Sequence, residues 1–329
     1  MDNVFKTRVL TAAVNKIKPV RTPVLDKVFG RKKQELSDRF AFDIKSSSER
    51  LLKNIRVSEA AQVTDKLGRK VVTCEAPRFA EKRFISAADL NAMRRFGDAA
   101  APELLKNRVA DEQTDMRGGM DRTREFMAVK ALSGQVVDET GAVIVDYGFV
   151  SAQKPTLTST ARWNDTAGDP LKNIRAWKKV ISDEVSVDRF YAFCGSGAMD
   201  ALLNNAKALD LLKYSSGSQI AESGRIVNFG GLEIEEYFGT YKDSSGTRQQ
   251  LMPDAAFVIV GVGTDVAAEL FAPVIDLEAA GGTGGGGSAE MFFAKAWDEK
   301  DPSGKWIKTE ARPLPVLFQP GAVVYATVI

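Results

Sequence analysis

Hydrophobic positions in the first fifty-four residues come as islands rather than as a repeating face. Ala12-Ala13-Val14 and the set Leu25, Val28 and Phe29 stand among Lys16, Lys18, Arg21, Arg31, Lys32 and Lys33. Pro19 and Pro23 break any continuous helix. The segment therefore reads as an arm with helical pieces that buries little of itself alone, and that packs on neighbouring molecules or approaches nucleic acid. From Ile55 to Ile85 the pattern turns to strands: Ala61-Gln62-Val63-Thr64, a polar turn at Asp65-Lys66-Leu67-Gly68-Arg69-Lys70, then Val71-Val72-Thr73-Cys74-Glu75. Two β-rich runs about a glycine-containing turn predict a hairpin. After Pro77 the chain returns in the charged run from Arg78 to Phe84, and a long hairpin with charged tips reads as a protruding loop rather than a core element.

Over residues 102–132, Leu105, Val109, Met116, Met120, Met127 and Ala131 recur at spacings of 4, 7, 4, 7 and 4. That places them on one helical stripe, with charge on the other faces. Some thirty residues rise roughly 45 Å at 1.5 Å each. Gly118-Gly119 costs about 1 kcal/mol per glycine and permits a bend. A helix with a single apolar stripe is expected to lie along the surface of something. Next come a tight hairpin about Thr140-Gly141 and, after the N-cap pair Asp169-Pro170, a helix with Leu171, Ile174, Trp177 and Ile181 on one face. The remainder predicts a compact α+β unit. It has a strand at 189–194, a helix capped by Ser196, strands at 226–229, 232–238 and 255–261, a turn at Asp243-Ser244-Ser245-Gly246, a glycine-rich loop at 281–287, and terminal strands at 315–318 and 322–328. A terminal strand that apolar should pair into a sheet.

Composition narrows the chemistry. Hydrophobic residues make up 44% and charged residues 27%, which suits a folded globular chain. No stretch approaches the 18 or more apolar residues of a membrane span, and the opening residues do not resemble a secretory signal, so a soluble protein made in a cytoplasm is expected. There is no histidine. This removes the usual general base at neutral pH, Ser-His-Asp and Cys-His arrangements, and every histidine-bearing zinc site. Cys74 and Cys194 lie far apart and read as free, mostly buried thiols. The net charge of +2 is uneven: residues 1–130 hold 28 Lys and Arg against 18 Asp and Glu, and residues 131–329 hold 17 against 25. Either one end meets a polyanion or an acidic neighbour, or the partition is fortuitous.

Candidate motifs are weak. Gly195-Ser196-Gly197 stands between a strand and a helix, but a nucleophile elbow needs G-x-S-x-G and a histidine base. Gly261-Val262-Gly263 follows an apolar strand, yet the third glycine of a dinucleotide turn is replaced by Val266. The 281–287 run has no lysine and cannot be a P-loop. Glu233 and Glu235 would share a strand face, with Glu236 opposite. Without a further ligand they read as a solvated sheet face rather than a metal or acid/base pair. Arg31, Lys32 and Lys33 are candidates for sequence-independent DNA contact, though three charges also suit a solvated face and no aromatic platform accompanies them. No catalytic, cofactor or metal-binding residues are assigned.

The order of elements is more specific than any motif: basic arm, long charged hairpin, long surface helix, hairpin, then an α+β unit with terminal strands. It resembles the major capsid proteins of tailed bacteriophages, in particular the lambda-type branch called capsid protein E. Glu125-Phe126-Met127-Ala128-Val129-Lys130-Ala131-Leu132-Ser133-Gly134 resembles the end of that family's spine helix. The stretch 241–260, with Leu251-Met252-Pro253-Asp254 before an apolar strand, resembles a family segment, and 306–329 its C-terminal end. The resemblance implies an α+β fold of the Hong Kong ninety-seven type. Residues 1–54 would be an N-arm and 55–90 an extended E-loop. Residues 91–185 and about 300–329 would form a peripheral domain with the spine helix at 102–132, and 186–299 an axial domain. It implies a non-enzymatic head protein that self-assembles as hexamers and pentamers into an icosahedral shell around phage DNA, built in the host bacterial cytoplasm. Scaffold, portal and decoration proteins are its possible partners, with no cofactor and no membrane. On that picture Lys66, Leu67, Arg69, Lys70, Arg78 and Phe79 are candidates for contact between subunits, and Arg31, Lys32 and Lys33 for the inner surface. Other readings are an encapsulin-like cellular compartment shell, a basic DNA-binding protein and a nucleotide-binding enzyme.

Overall fold

The computed structural model describes residues 5–45, 69–88, 101–215, 225–263, 265–279 and 291–329. The chain forms two compact units. One comprises Met1–Phe40, Thr73–Ala128 and Ala268–Val316, and the other Ala41–Val72, Val129–Ala267 and Leu317–Ile329. Among the described residues no helix is long and apolar enough to cross a membrane.

The N-terminal segment holds helices α1 (Thr7–Lys16) and α2 (Pro23–Val28), separated by a stretch containing Pro19, with Pro23 opening α2. Of its apolar islands, Val14, Leu25, Val28 and Phe29 are buried within the chain, while Ala12 and Ala13 are exposed. The expectation of an arm with little burial of its own is thus corrected, because elements far along the sequence supply the groove. Strands β1 (Lys32–Gln34) and β2 (Arg39–Lys45) follow. Strand β3 (Arg69–Glu75) pairs with β2. The alternation of buried Phe40 and Phe42 against exposed Arg39 and Ala41 marks β2 as a strand, while the run at 61–64 that the sequence assigned as the partner of β3 lies outside the described residues. Residues 46–68, including Lys66 and Leu67 and most of the expected turn, lie outside the described residues. Strand β4 (Phe79–Ser86) lies in a sheet and buries Ile85. The long helix α3 (Ala101–Leu132) has the predicted extent. Val109, Met116, Met120, Met127 and Ala131 are all buried, as the stripe requires.

In the second unit, β5 (Gln135–Val137) and β6 (Val143–Asp146) form the predicted hairpin, with Gly141 at φ 85°. Helix α4 (Pro170–Glu184) opens as expected: the Asp169 side chain accepts from the Lys172 N–H at 3.0 Å, and Ile174, Trp177 and Ile181 are buried. Strand β7 (Arg189–Cys194) leads to α5 (Ser196–Asn204), whose N-cap is Gly195 rather than Ser196. A Cβ at Gly195 would stand 2.2 Å from the Pro253 carbonyl oxygen, so close backbone packing fixes the glycine and moves the cap one residue. After α6 (Ala206–Ser215) come β8 (Arg225–Phe229), β9 (Leu232–Glu236), the short pair β10 (Thr240–Lys242) and β11 (Arg248–Gln250), and β12 (Ala256–Val262). The Asp243 carboxylate closes the β10–β11 turn by accepting from the Ser245 and Thr247 N–H groups at 3.0 and 2.9 Å.

Four strands return to the first unit's sequence: β13 (Ala267–Phe271), β14 (Phe293–Glu299), β15 (Gly304–Ala311) and β16 (Pro313–Leu317). The order β1-β13-β16 makes one sheet and β14-β15-β4 another. The glycine run at 281–287 falls outside the described residues. The last strand, β17 (Val323–Thr327), completes the five-stranded sheet β17-β12-β7-β9-β8, parallel only between β7 and β9. As predicted, the apolar terminal strand pairs. It pairs with β12, so residues 317–329 group with the β7–β12 sheet, as does α4, whereas residues 268–299 group with most of α3. Strand β12 is buried along six of its seven residues, as a central strand covered on both faces should be. Trp163, Trp177 and Phe257 close on one another in that core, at ring-centroid distances of 4.8–6.2 Å.

Candidate functional site

The most highly organised polar constellation lies along α3, in the first unit. Gln113, Arg117, Asp121 and Glu125 recur every fourth residue, and such positions stand one above another on a helix. All four are buried. Each meets the main chain of the N-terminal segment. Gln113 Nε2 donates to the Leu10 carbonyl at 3.1 Å, and an Arg117 guanidinium N–H donates to the Val14 carbonyl at 3.2 Å. Asp121 accepts from the Val20 N–H at 3.4 Å, and the two Glu125 oxygens accept from the Val24 and Leu25 N–H groups at 2.9 and 3.0 Å. The last pair satisfies free donors in the first turn of α2 with a carboxylate, where the helix dipole favours negative charge. Arg117 also sits 3.5 Å above the centre of the Phe292 ring.

These buried charges are paired, as burial demands. Arg124 makes a two-pronged contact with Glu269 on β13, both bonds 2.6 Å, and a third bond of 2.6 Å to Asp121. Burial opposes the Arg124 charge, but Glu269 and Asp121 more than offset it and hold the guanidinium above its ordinary value. Burial dominates at Arg117 and lowers its affinity for the proton. The helix therefore does not lie on a surface with one apolar stripe. It carries an apolar stripe and a polar stripe, and both are covered.

Helix α1 also covers a sheet edge. The Thr11 hydroxyl donates to the Ala294 carbonyl at 2.9 Å and accepts from the Ala294 N–H at 3.1 Å, while Asn15 donates to the Phe292 carbonyl. An edge strand with open main-chain groups would otherwise offer itself to another chain.

The residues singled out by sequence are scattered. Lys32 and Lys33 stand opposite Glu269 and Leu270 on edge strand β1, and the Arg31 carbonyl accepts from the Glu269 N–H. Arg78 is exposed but bound within its own chain, donating to both Glu310 oxygens at 2.8 and 3.0 Å. Phe79 stands opposite Ala311. The main chain of Arg69 and Lys70 opens β3. Glu235 corrects the solvated-face reading: it is buried and accepts from the Tyr191 hydroxyl, because β9 lies inside the sheet beside β7. Gly261 lies within β12, where a Cβ would meet Val187 at 2.5 Å, so packing and not a phosphate turn explains that glycine. Among the described residues no group of three His, Cys, Asp or Glu is placed to hold a metal ion. Both cysteines are free; burial pushes the Cys74 thiol up to about 11 and raises that of Cys194 further.

The family model described as phage major capsid protein E matches residues 6–328. The chain belongs to that family. Solved structures agree in fold. A protein assigned as the capsid protein of a prophage of E. coli CFT073 superposes with a TM-score of 0.68 at 18% identity, covering 98% of this chain and 99% of the other. A phage-related protein from Bordetella bronchiseptica RB50 gives 0.61 at 12% identity, with 97% and 96% covered. The mature capsid of bacteriophage PhiM1 gives 0.51 at 12%, with 94% and 87% covered. No curated protein matches in sequence. This capsid protein E thus has the Hong Kong ninety-seven-like α+β fold, and it is a structural protein of the phage head. The polar ladder along α3 is a feature that hydropathy patterning does not report. The available signal was four polar side chains at a strict period of four, which a search for apolar stripes discards.

Proposed function

We propose that this capsid protein E assembles as hexamers and pentamers into an icosahedral shell that encloses phage DNA. The family match across residues 6–328 carries the reading. The local architecture supports it. Three of the six sheets among the described residues are two-stranded ribbons, β2–β3, β5–β6 and β10–β11. An isolated two-stranded ribbon is marginal in water, and its open edges are templates for another chain. In a closed lattice such edges find neighbours, and many weak contacts become strong together. Residues 1–54 then serve as the N-arm and 55–90 as the E-loop. Arg69, Lys70, Arg78 and Phe79 lie within that loop near a neighbouring subunit, and Arg31, Lys32 and Lys33 touch packaged DNA without sequence preference. The role is structural rather than catalytic. Assembly takes place in the host bacterial cytoplasm, with scaffold, portal and decoration proteins as further partners.

Negative-stain electron microscopy of the purified protein, expressed alone and with its neighbouring genes, tests the proposal. Shells or six-membered rings are expected. Small monodisperse particles under every condition would overturn it.

A further inference from the structure

Three arginines are buried among the described residues: Arg117, Arg124 and Arg312. The first two are paired with carboxylates. Arg312 is not. Its guanidinium donates to main-chain carbonyls, to Pro273 at 3.2 Å, to Ala76 at 3.1 Å and, more loosely, to Asp38 at 3.5 Å. No carboxylate among the described residues meets it, and its buried Nε–H has no acceptor. Burying a cation costs free energy unless it is compensated, and here main-chain dipoles alone compensate it.

Those carbonyls mark where strands part. Arg312 stands between β15 and β16, where the chain leaves the sheet β14-β15-β4 for the sheet β1-β13-β16. Its own carbonyl accepts from the Ala272 N–H, just past β13, at 3.0 Å. Asp38 directly precedes β2 and Ala76 directly follows β3, and the Ala76 N–H donates to the Asp38 carbonyl at 3.0 Å. These two residues are the root of the β2–β3 ribbon. The ladder of β15 on β4 ends at Ala311 opposite Phe79, and Pro77 has no N–H with which to extend it. Side chains take over there: Glu310 holds Arg78 by two bonds on one side of Pro77, and Arg312 holds Ala76 on the other. A planar guanidinium with five donors in fixed directions can meet several carbonyls of diverging strands at once, which a lysine ammonium does not.

We propose that Arg312 is a positioning residue: it pins the root of the β2–β3 ribbon and so fixes the direction in which the ribbon leaves the sheets. A two-stranded ribbon is marginal by itself, so its course depends on how its base is held. The purpose of the pin rests on the shell-protein reading above, in which β3 belongs to the E-loop and Arg312 sets where that loop points.

The test uses the full unassembled chain carrying Arg312→Ala, with Arg312→Lys as a milder variant that keeps the charge. Amide exchange read by mass spectrometry should quicken about tenfold or more in the ribbon peptides holding Phe40 and Cys74, as loss of bonds from a charged donor implies. Exchange in α3 and in the β14–β15 ladder should stay at the wild-type rate. Guanidinium ion below denaturing concentration should restore protection to Arg312→Ala by filling the vacated site, and ammonium at the same ionic strength should not. Arg312→Lys should fall between wild type and alanine. Ribbon exchange at the wild-type rate in either variant, equal quickening throughout the first unit, or no rescue by guanidinium would each overturn the pin. With the neighbouring head genes present, microscopy should show malformed shells from the variants and regular ones from wild type. Regular shells from both variants would overturn the pin's role in aiming the E-loop. A wild type that forms no shell would instead overturn the shell reading, and the exchange rates alone would then decide the pin.

Discussion

Replacing Arg124 by methionine tests whether the ion network on α3 holds the first unit together. The Arg124 side chain is 4% exposed, and those of Asp121 and Glu269 are fully covered. Methionine keeps much of the length and can lie against Phe271 and Phe292, the rings that flank the guanidinium at 5.4 Å. It removes both bonds to Glu269 and one to Asp121, while Asp121 retains Arg117 at 3.1 Å. Glu269 is left as a buried carboxylate without its cation, which costs about 3–5 kcal/mol. Against a total stability of about 5–15 kcal/mol this is a large fraction. The companion variant Arg124→Met with Glu269→Leu replaces the pair by apolar groups, and such exchanges are often near neutral. It should recover most of the loss, giving a coupling energy of about 2–4 kcal/mol. Urea unfolding of the unassembled chain reads both, with the slope in denaturant unchanged. A single substitution costing under about 1 kcal/mol, or a double variant as unstable as the sum of its parts, would refute the argument that Arg124 answers a buried charge.

Glu125→Gln leaves one oxygen for the Val24 and Leu25 N–H groups and turns a donor toward the other. It should cost about 1.5–3 kcal/mol and speed amide exchange in α2 while leaving α4 unaffected. Glu310 and Asp276 both titrate below their ordinary values of 4.5 and 3.8: burial pushes each up, but Arg78 and Lys308 at the first, and Lys295 at the second, outweigh it. Their contribution is present above those ordinary values and is lost as pH falls through the lowered ones, so Glu310→Gln should flatten the acid side of a melting-temperature profile. Gly195→Ala should destabilise by about 1–3 kcal/mol in thermal melts, because its Cβ would meet the Pro253 carbonyl oxygen at 2.2 Å and neither backbone can yield cheaply. Alkylation followed by mass spectrometry should modify half-buried Cys74 slowly at pH 8, and buried Cys194 only once the second unit opens.

Local periodicity was enough for much of the fold. The stripe from Val109 to Ala131, the Asp169-Pro170 start of α4, the Thr140-Gly141 hairpin and strand β7 all follow from signals within a few residues, and each forms where expected. What depended on distant partners was not legible. β2 and β4 acquire their roles by pairing with β3 and with β15, and nothing in the local charge of Arg78 to Phe84 announces that second pairing. The burial of Glu235 required knowing that β9 sits between β7 and β8. The polar ladder was hidden for a related reason: charged residues on a helix ordinarily face water, and only the return of residues 10–25 onto α3 converts that face into an interior one.

The way α3 holds the N-terminal segment has a consequence for how the fold tolerates sequence change. Gln113, Arg117, Asp121 and Glu125 bind carbonyl and N–H groups, which every residue but proline supplies in full. The clamp thus places few demands on side chains at the positions it holds, provided Leu10, Val14 and Leu25 stay apolar enough to fill the groove. A backbone clamp of this kind lets an arm drift in sequence and keep its path. That is one physical route by which a chain can share 98% of its length with another protein's fold at 18% identity. The constraint falls instead on the helix side, where loss of one buried charge strands its partner, so substitutions along α3 should be tolerated in pairs more readily than one at a time.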